Sequence, residues 1–280
     1  MSKSLHRTSR AIQSCVIIWA SLQAFIEVFA DTTFTPDALN PGIAAVTSHR
    51  GEIQHHNQEG KHQKVQTRSI LTIDQTFFGT KEQGALFLSL SNGVGLGLGE
   101  STHLWIDRYQ QQMINPMHES LSFEASISQL QARIEVGTLV VAFNHLTPLS
   151  RAEFELPLGR VRVYSGQILL EVQSDTSCKI SAYQGTATFY FADTEERAFI
   201  SAGTGIEITT ESAKNLKIDS SISIEPNPED WPLLVKATDY SRQRVTYRFN
   251  PDGDQPMQIW ILPDGQFGQP LPRPYQFDLK

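Results

Sequence analysis

The chain has 280 residues, of which 40% are apolar and 19% charged, and its formal net charge is -7 at pH 7. This apolar content excludes a disordered chain. The acidic balance argues against a nucleic-acid-binding protein, because neutralising phosphates requires clustered lysine and arginine. The chain has only two cysteines, Cys15 and Cys178, which excludes a disulfide scaffold.

Residues 1–30 have the three-part organisation of a secretory signal peptide. Basic residues open the segment, an apolar stretch follows at 15–26, and small residues precede a cleavage point near Ala30. The stretch is shorter than the roughly 20 residues that cross a bilayer. The sequence therefore predicts cleavage near Ala30 and a periplasmic or secreted protein. Membrane contact is expected only through this segment, where it stays uncut.

After such a cleavage, Cys178 is the only cysteine left in the chain. Alternation within 177–183 places Cys178 on the same strand face as Ile180, and Lys179 on the opposite face. A thiol in that position is expected to be a small buried apolar group rather than a reactive site.

Period-two alternation of apolar residues is the main signal between 43 and 210, and it predicts a series of strands. Turn residues recur between the strands at intervals typical of an all-β sandwich, barrel or short solenoid. The stretch 121–136 is ambiguous, and we interpret it as extended because Ser and Ile alternate along it. The main predicted strands lie at 85–91, 94–98, 104–106, 132–143, 154–158, 161–164, 168–172, 187–191, 198–200 and 206–208.

The dipeptide Asn92-Gly93 separates two of these alternating runs and predicts a β-hairpin with a type I′ turn, in which both central residues have positive φ. Gly95, Gly97 and Gly99 then share one face of the second strand. Side-chain-free positions weaken a strand unless another layer packs closely on them. We therefore expect a second sheet to cover this face.

Two further glycines mark irregularities in the predicted strands. The parity of the apolar residues changes at Gly137, which predicts a bulge or bend there. The dipeptide Ser165-Gly166 separates two alternating runs and predicts a turn.

The C-terminal part is predicted to be a separate extension at 226–280. A proline-rich break at 225–232 indicates the boundary. Two strands follow at 244–249 and 257–262, each followed by a Pro-Asp-Gly turn. Because a lone hairpin is marginally stable in water, this one is expected to pack on the main domain or on a partner.

Several segments are similar to parts of one bacterial domain family, the FecR domain. The match includes Pro157, Gly159 and Gly166 within ELPLGRVRVYSGQILLEV. The similar segments are AAVTSHRGEIQ (44–54), SILTIDQTFFGTKEQGALFLSLSNGVGLGLGESTHLWI (69–106), LQARIEVGTLVVAF (130–143), ELPLGRVRVYSGQILLEV (155–172) and ISAGTGIEI (200–208). On these motifs the chain resembles the extracytoplasmic domain of FecR-type signal-transducing regulators.

The resemblance implies an all-β domain of short, turn-linked strands over 44–210. In full-length regulators this domain passes a signal from an outer-membrane receptor to a cytoplasmic sigma-factor partner. Few residues precede the apolar stretch 15–26, so no cytoplasmic anti-sigma segment is expected here. The resemblance therefore favours a free-standing exported version of the domain.

No motif in the sequence predicts catalysis, a metal or a cofactor. His49, His55, His56 and His62 crowd one stretch but lack zinc-ligand spacing, so we interpret them as part of a solvated loop. GVGLGLG (93–99) lacks the spacing of a nucleotide-binding loop and is interpreted as a strand. We therefore predict no catalytic, cofactor-binding or metal-binding residue.

The resulting hypothesis is an exported, non-enzymatic β domain that acts in recognition or signalling at the cell envelope. Its partner would be a protein or an envelope glycan, and the favoured mechanism is strand addition at an exposed sheet edge. The alternative is a glycan-binding protein in which aromatic rings stack on sugars. The candidate rings are those of Trp105, Tyr109, Trp231 and Trp260. A third hypothesis is a hydrolase whose carboxylates cannot be paired from sequence.

Overall fold

The computed structural model shows an all-β fold, as predicted. The predicted signal segment 1–30 and most of the break at 225–232 lie outside the described residues. In the described part, no helix is both long and apolar enough to cross a bilayer. The structure describes residues 39–57, 59–62, 64–112, 126–143, 146–192, 194–215, 222–223, 232–233, 235–237, 243–248 and 258–263.

Within the described residues, fifteen strands belong to one mixed sheet. They are β1 (Leu39–Pro41), β2 (Ile43–Arg50), β3 (Ile53–His56), β4 (Ile70–Thr72), β5 (Thr76–Thr80), β6 (Ala85–Leu90), β7 (Gly95–Leu98), β8 (His103–Gln112), β9 (Ser128–Phe143), β10 (Arg151–Leu156), β11 (Gly159–Ser174), β12 (Ser177–Phe191), β13 (Arg197–Ser201), β14 (Thr204–Thr209) and β15 (Ile222–Ser223). A short helix, α1 (Thr210–Asn215), follows β14.

The predicted C-terminal hairpin strands are confirmed. β16 (Gln243–Arg248) and β17 (Gln258–Pro263) pair antiparallel as a sheet of their own. The two Pro-Asp-Gly turns lie outside the described residues, and the extent of the extension, 226–280, stays a prediction.

The long strands β9, β11 and β12 change partners along their length and divide the large sheet into two halves. The first part of β9 pairs with β8 and β10, whereas its second part pairs with β7 and β11. The first half-sheet has the order β3-β5-β8-β9-β10-β11-β12-β13, with β1 also on β8. The second half-sheet has the order β4-β2-β6-β7-β9-β11-β12-β14-β15.

The inner faces of both half-sheets contribute to one hydrophobic core. Period-two alternation turns every second side chain inward, as the sequence pattern predicts. The halves therefore face each other in the manner of a sandwich whose layers share strands. Core residues of the first half include Leu104, Ile134, Phe154, Val161 and Phe189, and those of the second include Leu88, Leu96, Val141, Leu170 and Ile180.

Glycines lie where the shared strands pass from one half-sheet to the other. Gly137, Gly166 and Gly185 have φ angles of 100°, 100° and 75°, in the region that side chains disfavour. Gly166 and Gly185 are direct cross-strand partners. A Cβ on Gly166 would lie 2.1 Å from the backbone oxygen of Gln184, and one on Gly185 would lie 1.9 Å from that of Ser165. These positions therefore have no room for a side chain.

The bend predicted at Gly137 is confirmed by its backbone angle. The turn predicted at Ser165-Gly166 is wrong, because β11 continues through this dipeptide with a shift in register on either side of it. A small polar residue followed by glycine suits a turn, but it also suits the bend of a strand that changes partners.

The hairpin predicted at Asn92-Gly93 is present, but its turn type is not. Only Gly93 has positive φ, at 83°. The amide of Gly93 donates to the Leu90 oxygen at 2.9 Å, and the amide of Leu90 donates to the Val94 oxygen at 2.8 Å. The connection is therefore a three-residue loop that ends in a left-handed glycine, and not a two-residue type I′ turn.

The glycine face of β7 is covered by a short segment rather than by the second sheet that we expected. A Cβ on Gly97 would lie 3.1 Å from the Cβ of Ala237, and one on Gly99 would lie 3.6 Å from a methyl group of Leu233. Ala237 packs in a small cluster with Val140, Ala142 and Leu169. The side-chain-free positions thus leave room for the Ala237 methyl group and the end of the Leu233 side chain.

A buried polar network ties the β6–β7 loop to β8 and β9. The amide of Asn92 donates to the hydroxyl oxygen of Tyr109 at 3.0 Å, and its side-chain nitrogen donates to Ser128 Oγ at 3.1 Å. The Tyr109 hydroxyl also lies 3.0 Å from Ser91 Oγ and 3.3 Å from Gln111 Oε1. All five residues are fully buried. Their hydrogen bonds offset the cost of removing polar groups from water.

Candidate functional site: an arginine–tyrosine patch

The most distinctive exposed surface lies on the outer face of β10 to β13. Alternation sends Phe154, Val161 and Phe189 into the core, so their sequence neighbours face outward. Antiparallel register then places these outward residues side by side across four strands. We define the arginine–tyrosine patch as Arg160, Arg162, Tyr164, Tyr190 and Arg197.

Two arginines of the patch lie over tyrosine rings. The guanidinium carbon of Arg160 is 5.2 Å from the ring centroid of Tyr190, to which it is directly opposite in the sheet. That of Arg162 is 5.3 Å from the ring centroid of Tyr164. These cation–π contacts favour one orientation of long side chains that would otherwise sample many.

A single carboxylate lies between the two arginines. Glu153 Oε2 is 3.8 Å from Arg160 Nη1, and Glu153 Oε1 is 4.0 Å from Arg162 Nε. The Glu153 side chain is 10% exposed, whereas that of Arg160 is 49% exposed. Glu155 lies opposite Arg160 on the same face, so Arg160, Arg162 and Arg197 carry three positive charges against the two negative charges of Glu153 and Glu155. This surface therefore has the opposite sign to the chain as a whole.

The two tyrosines of the patch share a hydrogen bond. Burial favours a higher pKa for Tyr164, but hydrogen bonds from Tyr190 and Thr188 and the charges of Arg162 and Arg197 outweigh it, so the pKa of Tyr164 lies below its ordinary value. The hydrogen bond to Tyr164, followed by burial, raises the pKa of Tyr190. Both directions correspond to a hydrogen bond in which the Tyr190 hydroxyl donates and the Tyr164 oxygen accepts.

An exposed apolar ring borders the patch on β13. Phe199 lies directly opposite Thr188 and is 67% exposed. Tyr164 is 42% exposed. Exposed aromatic rings beside arginines are the residue types that dominate the energetics of protein interfaces.

An open cleft of about 700 Å³ adjoins the patch at the β10–β11 turn. Arg160 and Tyr190 form part of its wall, together with Glu155, Pro157 and Glu195. The described residues that line it include no serine, cysteine or histidine. The polar side chains in its lining are Glu155, Arg160, Tyr190, Thr194 and Glu195, so the cleft extends the patch surface.

The four histidines do not converge. His49 Nδ1 lies 3.0 Å from Thr67 Oγ1, whereas the His55 ring is buried and stacks on Phe78. Only His56 and His62 lie together, with ring centroids 3.9 Å apart. Within the described residues, no three His, Cys, Asp or Glu side chains form a group that could hold a metal ion.

The glycan hypothesis requires exposed aromatic rings, and the two candidate rings that the structure describes are not fully exposed. Tyr109 is fully buried in the polar network, so it is not available to a ligand. Trp105 is half-buried, with Phe77 at 4.8 Å and the Arg133 guanidinium at 5.8 Å from its ring. Trp231 and the Trp260 side chain lie outside the described part of the structure.

Two other predictions are confirmed. Residues 95–98 form strand β7, as expected for GVGLGLG. Cys178 is buried beside Ile180 in the core, and burial raises the pKa of its thiol to about 12. Lys179 faces the other way and pairs with Glu171 at 3.2 Å. The thiol is therefore unsuited to nucleophilic chemistry.

Sequence reasoning did not identify the patch. The alternation of Arg160, Arg162 and Tyr164 with Val161 and Val163 was visible as the polar side of one strand. Its partners on β10, β12 and β13 depend on strand order and register, which one sequence does not provide. The available signal was two arginines and a tyrosine on one strand face of an acidic chain.

Among the comparisons with known proteins, only the comparison of three-dimensional structures found similar proteins. No family model matches the sequence. No curated protein matches it either. Two crystal structures, each described as a candidate anti-sigma factor from Parabacteroides distasonis ATCC 8503, are similar to it at 10% identity. One has a TM-score of 0.38 over 56% of this chain and 62% of its own, so the match spans less than two thirds of that structure. The other has a TM-score of 0.37 over 67% of this chain and 98% of its own.

Proposed function

We propose that this chain is an exported, non-enzymatic recognition domain that binds a protein partner in the bacterial cell envelope through the arginine–tyrosine patch. The observation that carries the proposal is the exposed, positively charged and aromatic surface on a chain of net charge -7. Such a surface suits a partner that presents carboxylates and apolar side chains.

The rigidity of the patch supports recognition. Arg160 and Arg162 are oriented by tyrosine rings and by Glu153, and all of these residues are carried by paired strands. Side chains that are already ordered lose less conformational entropy when a partner binds. Cellular location is part of the same proposal, supported by the signal-like segment 1–30 and by the resemblance of 44–210 to an extracytoplasmic domain.

A protein partner is favoured over a glycan by the aromatic residues that are exposed. Tyr109 is buried and Trp105 has neighbours against its ring. Among the aromatic side chains that the structure describes, those of Tyr164 and Phe199 are exposed, and they lie beside arginines. Loss of crosslinks to protein, together with saturable binding of an envelope oligosaccharide, would reverse this preference.

Site-specific photocrosslinking in the native cells tests the proposal. A photoreactive phenylalanine at position 164 is expected to capture a discrete envelope protein, because Tyr164 is 42% exposed at the centre of the patch. The matched control is the same probe at position 235, since Val235 is 38% exposed outside the patch. Equal capture at both positions, or capture at neither, would contradict the proposal.

A further inference from the structure

Strand β13 is an open edge of the first half-sheet. β13 and β14 pair with the same side of β12, one after the other along its length. β14 is followed outward by β15, whereas β13 has no strand on its other side among the described residues. An edge of this kind can accept an extended segment from another protein.

The hydrogen-bond pattern shows which backbone groups of β13 face the open side. The amide of Phe191 donates to the Glu196 oxygen at 3.1 Å, just before β13 begins. Antiparallel pairs alternate between bonded and non-bonded, so Ala198 and Ile200 point their amide and carbonyl groups at β12. Those of Arg197 and Phe199 consequently point away from the sheet.

The open stretch of backbone is short and well defined. At the next outward position, Ser201, the amide donates to Thr204 Oγ1 at 3.2 Å and the carbonyl oxygen accepts from the same hydroxyl at 2.6 Å. The stretch that can pair with an added strand is therefore Arg197 to Phe199. Their side chains lie on the outer face, the face that carries the arginine–tyrosine patch.

We propose that β13 binds an extended segment of the partner protein by antiparallel strand addition, and that this segment carries an apolar residue followed two positions later by Asp or Glu. Antiparallel register places the apolar residue opposite the exposed Phe199 ring and the acidic residue opposite Arg197. Antiparallel pairing is favoured because it is more stable per residue than parallel pairing, and because β12–β13 is itself antiparallel. This inference rests on the proposed function and specifies its ligand.

A second copy of this chain is a poorer occupant of the same edge. Pairing two β13 strands about Phe199 would put Ser201 opposite Arg197. The Ser201 backbone is already bonded to Thr204, and serine brings no carboxylate to the arginine. Two chains of net charge -7 also repel each other.

The test uses the full chain and two labelled peptides of identical composition. Thr-Val-Ile-Thr-Asp-Thr has the proposed order, and Thr-Val-Asp-Thr-Ile-Thr exchanges the apolar and acidic positions. Fluorescence anisotropy is expected to show about tenfold tighter binding of the first peptide. In the proposed register this peptide places Ile opposite Phe199 and Asp opposite Arg197. Equal affinities, or no saturable binding of either peptide, would overturn the inference.

A second experiment reverses the charge at position 197. Arg197→Glu is expected to lower the affinity for the acidic peptide by about tenfold. The variant should instead prefer the same peptide with Lys in place of Asp. The control Arg151→Glu changes the same charge on β10 and should alter neither affinity. An unchanged peptide preference in Arg197→Glu would contradict the proposed register.

Hydrogen exchange separates strand addition from binding to side chains alone. The amides of Arg197 and Phe199 are expected to become protected when the peptide binds, whereas exchange at Ser201 should stay unchanged. Binding without this protection would reject strand addition. If crosslinking at position 164 persists in that case, the recognition function survives. If both fail, the proposed function fails as well.

Discussion

The interior around Tyr109 and the outer face around Tyr164 contain similar chemistry with opposite roles. In both, tyrosine hydroxyls lie among polar side chains on neighbouring strands. Ser91, Asn92 and Gln111, which bond to the Tyr109 hydroxyl, are fully buried, so these hydrogen bonds contribute to stability. Tyr164 is 42% exposed, so its polar contacts add little stability and its ring stays available to a ligand. Burial therefore distinguishes the polar residues of the internal network from those of the proposed interface.

The largest effect is expected where the strands cross between half-sheets. Gly185→Ala should cost roughly 3–5 kcal/mol, because the new Cβ would overlap the backbone of Ser165 and the residue must keep its positive φ. Gly203→Ala is the matched control, since its φ is 77° and nothing lies within 4 Å of its Cβ position. It should cost about 1 kcal/mol. Urea unfolding of both variants measures the difference, and similar midpoints would refute the steric argument.

The next largest effect is expected inside the buried network. Asn92→Ala removes the acceptor for the Val94 amide and the donor to Ser128 Oγ, each at 3.1 Å, and it leaves both partners buried. The expected loss is roughly 2–4 kcal/mol. Asn57→Ala is a matched surface control, because Asn57 Oδ1 accepts from the amides of Glu59 and Lys61 in an exposed loop.

For Asn57→Ala a loss of about 0.5–1 kcal/mol is expected. Thermal and urea unfolding compare the two variants. If Asn57→Ala were as destabilising as Asn92→Ala, burial would not be what distinguishes the two regions.

A much smaller stability effect is expected in the patch. Arg160→Gln should change the free energy of unfolding by no more than about 0.5 kcal/mol, since the Arg160 side chain is 49% exposed and Arg162 still faces Glu153. Crosslinking from position 164 to the partner should nevertheless fall. A stable variant with undiminished crosslinking would remove Arg160 from the proposed interface.

The smallest effect is expected in the titration of the patch tyrosines. Tyr164 loses its proton below the ordinary range in the folded state, so its contribution to stability grows at alkaline pH and is lost as the pH falls through its folded pKa. The raised pKa of Tyr190 acts in the opposite direction. Tyr190→Phe removes the hydrogen bond and should raise the pKa of Tyr164. Ultraviolet absorbance of the phenolate measures this, and an unchanged first titration step would show that Tyr190 is not the donor.

The sequence predicted the strands well because alternation has a direct physical cause. One face of each strand must enter the core, and this holds for 85–91 and 132–143 regardless of strand order. The bend at Gly137 was predictable for the same reason, as a change in parity. The type I′ turn at Asn92-Gly93 and the turn at Ser165-Gly166 were wrong, because turn-forming residues also serve three-residue loops and strand bends.

The candidate site was not predictable to the same degree. Tyr109 resembled an exposed sugar-stacking ring, and only the tertiary structure shows it enclosed by Ser91, Asn92 and Gln111. The patch requires β10, β11, β12 and β13 to be neighbours in one register. Such pairings between distant segments are decided by the whole fold.

The strands shared by the two half-sheets also determine how the molecule comes apart. One end of each of β9, β11 and β12 belongs to the first half-sheet and the other end to the second. Unfolding of one half-sheet therefore removes strand partners from the other. We therefore expect the body of the protein to unfold in a single cooperative transition that every spectroscopic probe reports alike.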